Sequence, residues 1–274
     1  MNVIPGCNPV NGVTSLGDDV FVVRVDSEET IDVYDATTFT LQRLITVHGL
    51  GDHPQGLAVC PYNKCLYASE PVNASVHRVE LSGSNAVMKW SVARGPQGLS
   101  VNSEHNLIVV SQGESKLQIF TTRGTLLQNI QLQADIEDPN YAVQLPTTSQ
   151  FLVSHGYYGS QSLHRVCLVA VDGAVVRSYS GQRGSELTQM DIPRGLAVDR
   201  EERVLIADQR NNRLLVMDQS LSSAHEMSVS VGGGLQGPES LWYDQSRRRL
   251  YIGEWQGGRV IVIDSLKDFT ASQV

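Results

Sequence analysis

Six polar residues recur at one place in the chain: Asn11, Gln55, Gln97, Asn140, Arg194 and Glu239. Five of them directly follow a proline, at positions 54, 96, 139, 193 and 238, and Asn11 lies just after Pro9. Their flanking positions are apolar. Amides offer both donors and acceptors, and a carboxylate offers acceptors only. Oxygens of Asn, Gln and Glu can also hold a hard cation, but calcium takes about six to eight oxygens, with several carboxylates for tight binding. Glu239 is the single carboxylate of the six, and Arg194 stands in the neighbouring unit. An Arg–Glu pair that neutralises itself is the simpler chemistry. The set reads as a ring of hydrogen-bonding groups, with no metal and no cofactor expected.

A second group of candidates lies on loops. His155-Gly-Tyr-Tyr-Gly-Ser-Gln-Ser162 places two glycines around Tyr157 and Tyr158. Large amphipathic side chains on an adaptable loop suit a recognition surface. Trp255 is a further aromatic anchor of this kind. Arg210 and Arg213, with Arg183 and Arg194, form a local basic cluster in a chain of net charge −8. Acidic residues outnumber basic ones on the same loops, which disfavours a general nucleic-acid surface. His53 and His155 are the best candidates for acid–base work, yet neither has a partner carboxylate by spacing. No Gly-x-Ser-x-Gly, phosphate loop or His-Glu-x-x-His occurs. No residue is therefore assigned a catalytic role. The expected ligand is a protein or peptide, with RNA disfavoured by charge.

The elements that must position these groups come from a repeat. His53-Pro-Gln-Gly-Leu-Ala-Val59, Gly95-Pro-Gln-Gly-Leu-Ser-Val101 and Ile192-Pro-Arg-Gly-Leu-Ala-Val198 open three units, and weaker copies start at Pro9, Pro139 and Pro238. The prolines are 42, 43, 54 and 45 residues apart. Each unit then runs strand, turn, strand, turn, strand, with a more polar fourth strand such as Leu41–Val47. Six four-stranded units with this period predict an all-β, six-bladed β-propeller of antiparallel strands around a central channel. One such sheet cannot bury both faces alone, whereas a ring of them can. The blades are expected at about 10–50, 51–93, 94–135, 136–189, 190–234 and 235–274, in one domain. Either residues 1–9 or the tail Lys267–Val274 must complete the last blade, and the N-terminal segment is favoured.

The runs Gly195-Leu-Ala-Val-Asp199, Ile206-Ala-Asp208 and Asn211-Asn-Arg-Leu-Leu-Val216 resemble the NHL-repeat family of six-bladed propellers. The resemblance is good in the fifth unit and poor in the first and fourth. It implies that the connection into each first strand, and the loop between the second and third strands, open on one face. It also implies a recognition scaffold like the C-terminal NHL domain of tripartite-motif proteins, the substrate-recognition part of a ubiquitin ligase. The alternative is a divalent-metal-dependent hydrolase or lactonase, because calcium-dependent propeller hydrolases hold their metal at comparable strand starts.

Bulk properties agree with a globular chain: 41% hydrophobic and 18% charged. No apolar run reaches the about 18 residues of a membrane helix, and no signal peptide is visible. A cytoplasmic monomer is expected. Four cysteines are too few for a disulfide scaffold. Cys60 and Cys65 flank a predicted hairpin turn and read as two reduced thiols. Arg247-Arg-Arg249 reads as a solvated turn.

Overall fold

The computed structural model describes residues 1–83, 85–145, 147–157 and 163–264. Six four-stranded antiparallel sheets form a ring. Strand β1 (Asn2–Ile4) comes first in the chain and belongs to the last sheet. Blade 1 is β2 (Val10–Leu16), β3 (Asp19–Arg24), β4 (Thr30–Asp35) and β5 (Leu41–Thr46). Blade 2 is β6 (Leu57–Cys60), β7 (Cys65–Glu70), β8 (Ser75–Glu80) and β9 (Val87–Ser91). Blade 3 is β10 (Pro96–Val101), β11 (Leu107–Ser111), β12 (Lys116–Phe120) and β13 (Leu126–Gln131). Blade 4 is β14 (Pro139–Gln144), β15 (Phe151–His155), β16 (His164–Val169) and β17 (Val175–Gly181). Blade 5 is β18 (Pro193–Val198), β19 (Val204–Asp208), β20 (Arg213–Met217) and β21 (Ala224–Met227). Blade 6 is β22 (Pro238–Asp244), β23 (Arg249–Glu254) and β24 (Val260–Asp264), completed by β1.

Inner strands are apolar on both faces because each face meets another blade. Along β7, Leu66 and Ala68 pack towards blade 1, while Cys65 and Tyr67 pack towards blade 3. This is the period-two alternation of a strand, written as a continuous apolar run because neither face is solvated. An apolar cluster of this kind fills each junction between neighbouring blades. The fourth strands carry exposed side chains, among them Leu41, Leu44, Leu127 and Val176.

The N-terminal segment closes the ring: Asn2, Val3 and Ile4 pair with Val262, Ile261 and Val260. The tail 265–274 lies outside the described residues. The arginine run departs from expectation. Arg247 donates to the Gly17 carbonyl at 2.8 Å and to Asp18 at 2.6 Å. Arg249 binds Asp264 at 2.5 Å and the Ala36 carbonyl, and lies over the Phe39 ring. Both side chains are partly buried links from blade 6 to blade 1 rather than solvated turn residues. A guanidinium supplies enough donors to bridge two elements at once.

Five of the six first-strand starts share a backbone irregularity. Strand pairing slips between Val10 and Gly12, Pro96 and Leu99, Pro139 and Tyr141, Pro193 and Leu196, and Pro238 and Ser240. A bulge at this point re-aims one side chain, and here it turns the x residue into the channel. The glycine is needed for closeness to the next blade. A Cβ on Gly195 would lie 2.7 Å from Leu241 N and 2.9 Å from the Glu239 carbonyl oxygen. The same clash with the next blade would arise at Gly12, Gly56 and Gly98.

Candidate functional site

All six predicted residues line the central channel: Asn11, Gln55, Gln97, Asn140, Arg194 and Glu239. They divide into two layers. Asn11 and Asn140 are buried and tie blades together. Asn11 Nδ2 donates to the Pro54 carbonyl at 2.6 Å. Asn140 Nδ2 donates to the carbonyls of Gly156 and Pro193, each at 3.0 Å. The throat they line encloses about 30 Å³, enough for water and too small for a ligand.

The other four reach upward into a wider cup of about 270 Å³, walled by Gln55, Gln97, Gln112, Tyr157, Arg194, Gln209, Glu239 and Trp255. Arg194 donates to Asn140 Oδ1 at 2.8 Å and faces Glu239 at 3.5 Å. Gln209 Nε2 donates to the other oxygen of Glu239. Burial raises the Glu239 carboxyl above its ordinary range, and the charge of Arg194 opposes that rise. The expected Arg–Glu pair is therefore present. The cup's charged groups cancel, and its walls are mainly amides and aromatic rings.

Gln112 and Gln209 were missed as candidates. Each begins a short 3-10 turn directly after a second strand, at Gln112–Glu114 and Gln209–Asn211. Trp255 occupies the same repeat position after β23. Aligning the residue after each second strand would have found all three together. Gln112 Nε2 is buried and has no hydrogen-bond partner among the described residues.

The loop candidates fare unevenly. Tyr157 and Trp255 stand at the cup. Tyr158 lies outside the described residues. Arg210 is exposed on the same loop as Gln209. His155 is corrected in placement: it ends β15 inside the blade and has no exposed surface. Its Nε2 accepts from Arg165 Nε at 2.9 Å, and Arg165 binds Asp135 at 2.5 Å. Burial, with the charge of Arg165, pulls the His155 pKa down to about 3. A neutral, enclosed imidazole offers nothing to a ligand.

Arg213 is corrected too. Its guanidinium binds Asp208 at 2.8 Å and the carbonyls of Ser185, Glu186 and Gln189 at 2.7 to 2.9 Å. It organises the connection between blades 4 and 5 and adds no positive surface. The buried acids that end second strands have similar structural work. Glu70 accepts from the backbone N–H groups of Val72 and Asn73. Glu254 accepts from Gln236 N–H and from Arg259. Among the described residues, no group of three or more His, Cys, Asp or Glu side chains is placed to hold a metal ion. No described helix is long and apolar enough to cross a membrane.

No family model matches the chain. Protein brain tumor of Drosophila melanogaster is 21% identical over 177 residues, covering 61% of this chain and 16% of that protein. The chain thus spans a small part of its curated relative. Hydrazine synthase of Kuenenia stuttgartiensis superposes with a TM-score of 0.71 at 16% identity, over 97% of this chain and 98% of that one. A chain of the nidogen/laminin complex also gives 0.71 at 16% identity, over 90% and 89% of the two chains. They share the fold. That propeller serves an enzyme in one case and occurs in a complex of two proteins in the other, so function must be argued from the site.

Proposed function

We propose that this propeller is a non-enzymatic recognition module that binds a protein or peptide in the channel-mouth cup. The observation that carries this reading is the cup's wall of four glutamines, two aromatic rings and one self-neutralised Arg–Glu pair. Amides complement peptide groups by offering donors and acceptors together. Tyr157 and Trp255 supply rigid apolar area with a polar tip. Internal neutrality favours an uncharged segment over phosphate-rich RNA. At about 270 Å³ the cup suits one or two residues of a partner, with the surrounding loops contacting the rest. On the resemblance of its repeats to the NHL family we read it as a cytoplasmic recognition module of the ubiquitin-ligase-like, tripartite-motif kind; the similarity to Protein brain tumor, over 61% of the chain, supports only the NHL-like propeller.

The test is to pan a random peptide library on the immobilised protein and measure the selected peptides by calorimetry. Trp255→Ala and Gln97→Ala should each weaken binding by about 5- to 30-fold. Selected peptides that bind both variants as tightly as the parent would remove the cup from the reading. Calcium heat in the same instrument, lost on Glu239→Gln, would favour the metal-dependent hydrolase instead.

A further inference from the structure

The β6–β7 hairpin carries two buried thiols that the recognition reading does not use. Cys60 and Cys65 are the closing cross-strand pair of that hairpin, directly opposite each other. Directly opposed residues in antiparallel strands have Cα atoms about 4.5 or 5.5 Å apart. A disulfide accepts Cα separations of about 4.4 to 6.8 Å. Either kind of pairing therefore lies within the Cα range.

The two thiols are chemically unequal. The Cys65 thiol donates its hydrogen to Cys60 Sγ, and Asn63 adds its backbone N–H and its Nδ2, the latter at 3.2 Å. The bond from Cys65 is the largest cause that lowers Cys60, to about 5, against the opposing effect of burial. The same bond, with burial, pushes the Cys65 thiol up. The charge of Arg78 opposes the rise at Cys65 without overcoming it. The pair holds a nucleophile and a protonated partner, the arrangement needed for a two-step oxidation.

The intervening turn is open to solvent even though the sulfurs are not. Pro61, Tyr62 and Lys64 are exposed. Tyr62 stacks on His105 of blade 3 with ring centroids 4.2 Å apart. Lys64 holds a left-handed conformation with φ 45°, and its N–H reaches the Pro61 carbonyl at a long 3.4 Å. Only this four-residue turn separates the two cysteines.

We propose that Cys60 and Cys65 are a peroxide-sensitive dithiol that closes to a disulfide within the hairpin. The Cys60 thiolate attacks one peroxide oxygen, the O–O bond breaks, and hydroxide leaves to be protonated by solvent. The resulting sulfenic acid at Cys60 is attacked by the Cys65 sulfur. The S–S bond forms, the S–O bond breaks, and the thiol proton leaves with the hydroxyl as water. Two thiols and one hydrogen peroxide thus give one disulfide and two waters. The hairpin tip lies at the end of blade 2 away from the cup, so closure stiffens that rim and leaves the ligand cup unchanged.

The experiment uses a Cys7→Ser background, because Cys7 is an exposed thiol. Folded protein is treated with hydrogen peroxide at neutral pH and its intact mass and peptide map are recorded. The expected product has lost two hydrogens, contains a Cys60–Cys65 link, and is restored by dithiothreitol. Its Tm should rise by a few degrees. Dimedone should label Cys60 in Cys65→Ser and leave Cys65 unlabelled in Cys60→Ser. Oxidation seen only after urea unfolding would overturn the proposal, and that measurement needs no buried substitution. Equal dimedone labelling of the two single variants would overturn the assignment of Cys60 as the attacking sulfur.

Discussion

Glu239 is the only carboxylate among the described residues lining the cup, and its surroundings decide its titration. Burial raises its folded pKa, and the Arg194 charge only partly offsets this. The folded state therefore holds that proton more tightly than the unfolded chain does. Its contribution to stability is greatest below the ordinary carboxylate range and is lost as pH rises through the raised value. In urea unfolding from pH 4 to 7, the stability of the parent relative to Glu239→Gln should fall as pH rises. The buried histidines act in the opposite sense. His77, His155 and His164 all have lowered folded pKa values, with burial the leading cause. Their contribution is complete above the ordinary histidine value and is lost as pH falls, for His155 down to about 3. His155→Gln should flatten the loss of stability between pH 6.5 and 4, measured by the same urea series. Arg194→Ala removes one partner of a nearly buried pair and should cost about 1–3 kcal/mol.

At the scale of single elements, the Pro-x-Gly start has two separable jobs. Proline and the bulge aim the x residue at the channel, and glycine lets the next blade come close. Gly195→Ala would push a methyl group against Leu241 N and the Glu239 carbonyl, both backbone atoms that cannot swing aside. About 1–3 kcal/mol of destabilisation is expected from that overpacking, read by denaturant midpoint. Strand β1 is short, yet Ile4 is fully buried against Val10, Val260 and Val262. Ile4→Ala should cost about 2–4 kcal/mol, a fall in Tm of very roughly 5–15 °C for a chain of this size. Val3→Ala, at a more exposed position on the same strand, is the control and should change little. Arg213 belongs at this scale too. Arg213→Ala would leave Asp208 and three carbonyls without their shared donor, so limited proteolysis should cut first near residues 181–190.

Across the whole molecule, closure joins the chain ends: β1 pairs with β24, and Arg247 and Arg249 reach from blade 6 to blade 1. Each blade shares its core with both neighbours, so opening one junction exposes apolar surface on two sheets. A single cooperative calorimetric transition is expected, and removing residues 1–5 should lower its midpoint without splitting it.

The blade count, the strand order and the channel-lining set were legible in the sequence, because they follow from local pattern. Period-two apolar runs and turn residues act over a few residues and recur in six units, and a proline-led start, Pro-x-Gly in three of them, marks each one. The fates of individual polar side chains were not legible, because those depend on partners far along the chain. Arg213 looked like surface charge until the carbonyls of Ser185, Glu186 and Gln189 folded over it. His155 looked like a loop histidine until Arg165 and Asp135 enclosed it. Asn11 and Asn140 share a repeat position with Gln97 and Glu239, yet only the latter two reach the cup. Repetition along the chain determined the propeller and its ring of polar groups. The tertiary structure decided which of those groups are spent on holding blades together and which still face a ligand, because a hydrogen bond is assigned only when both partners are in place.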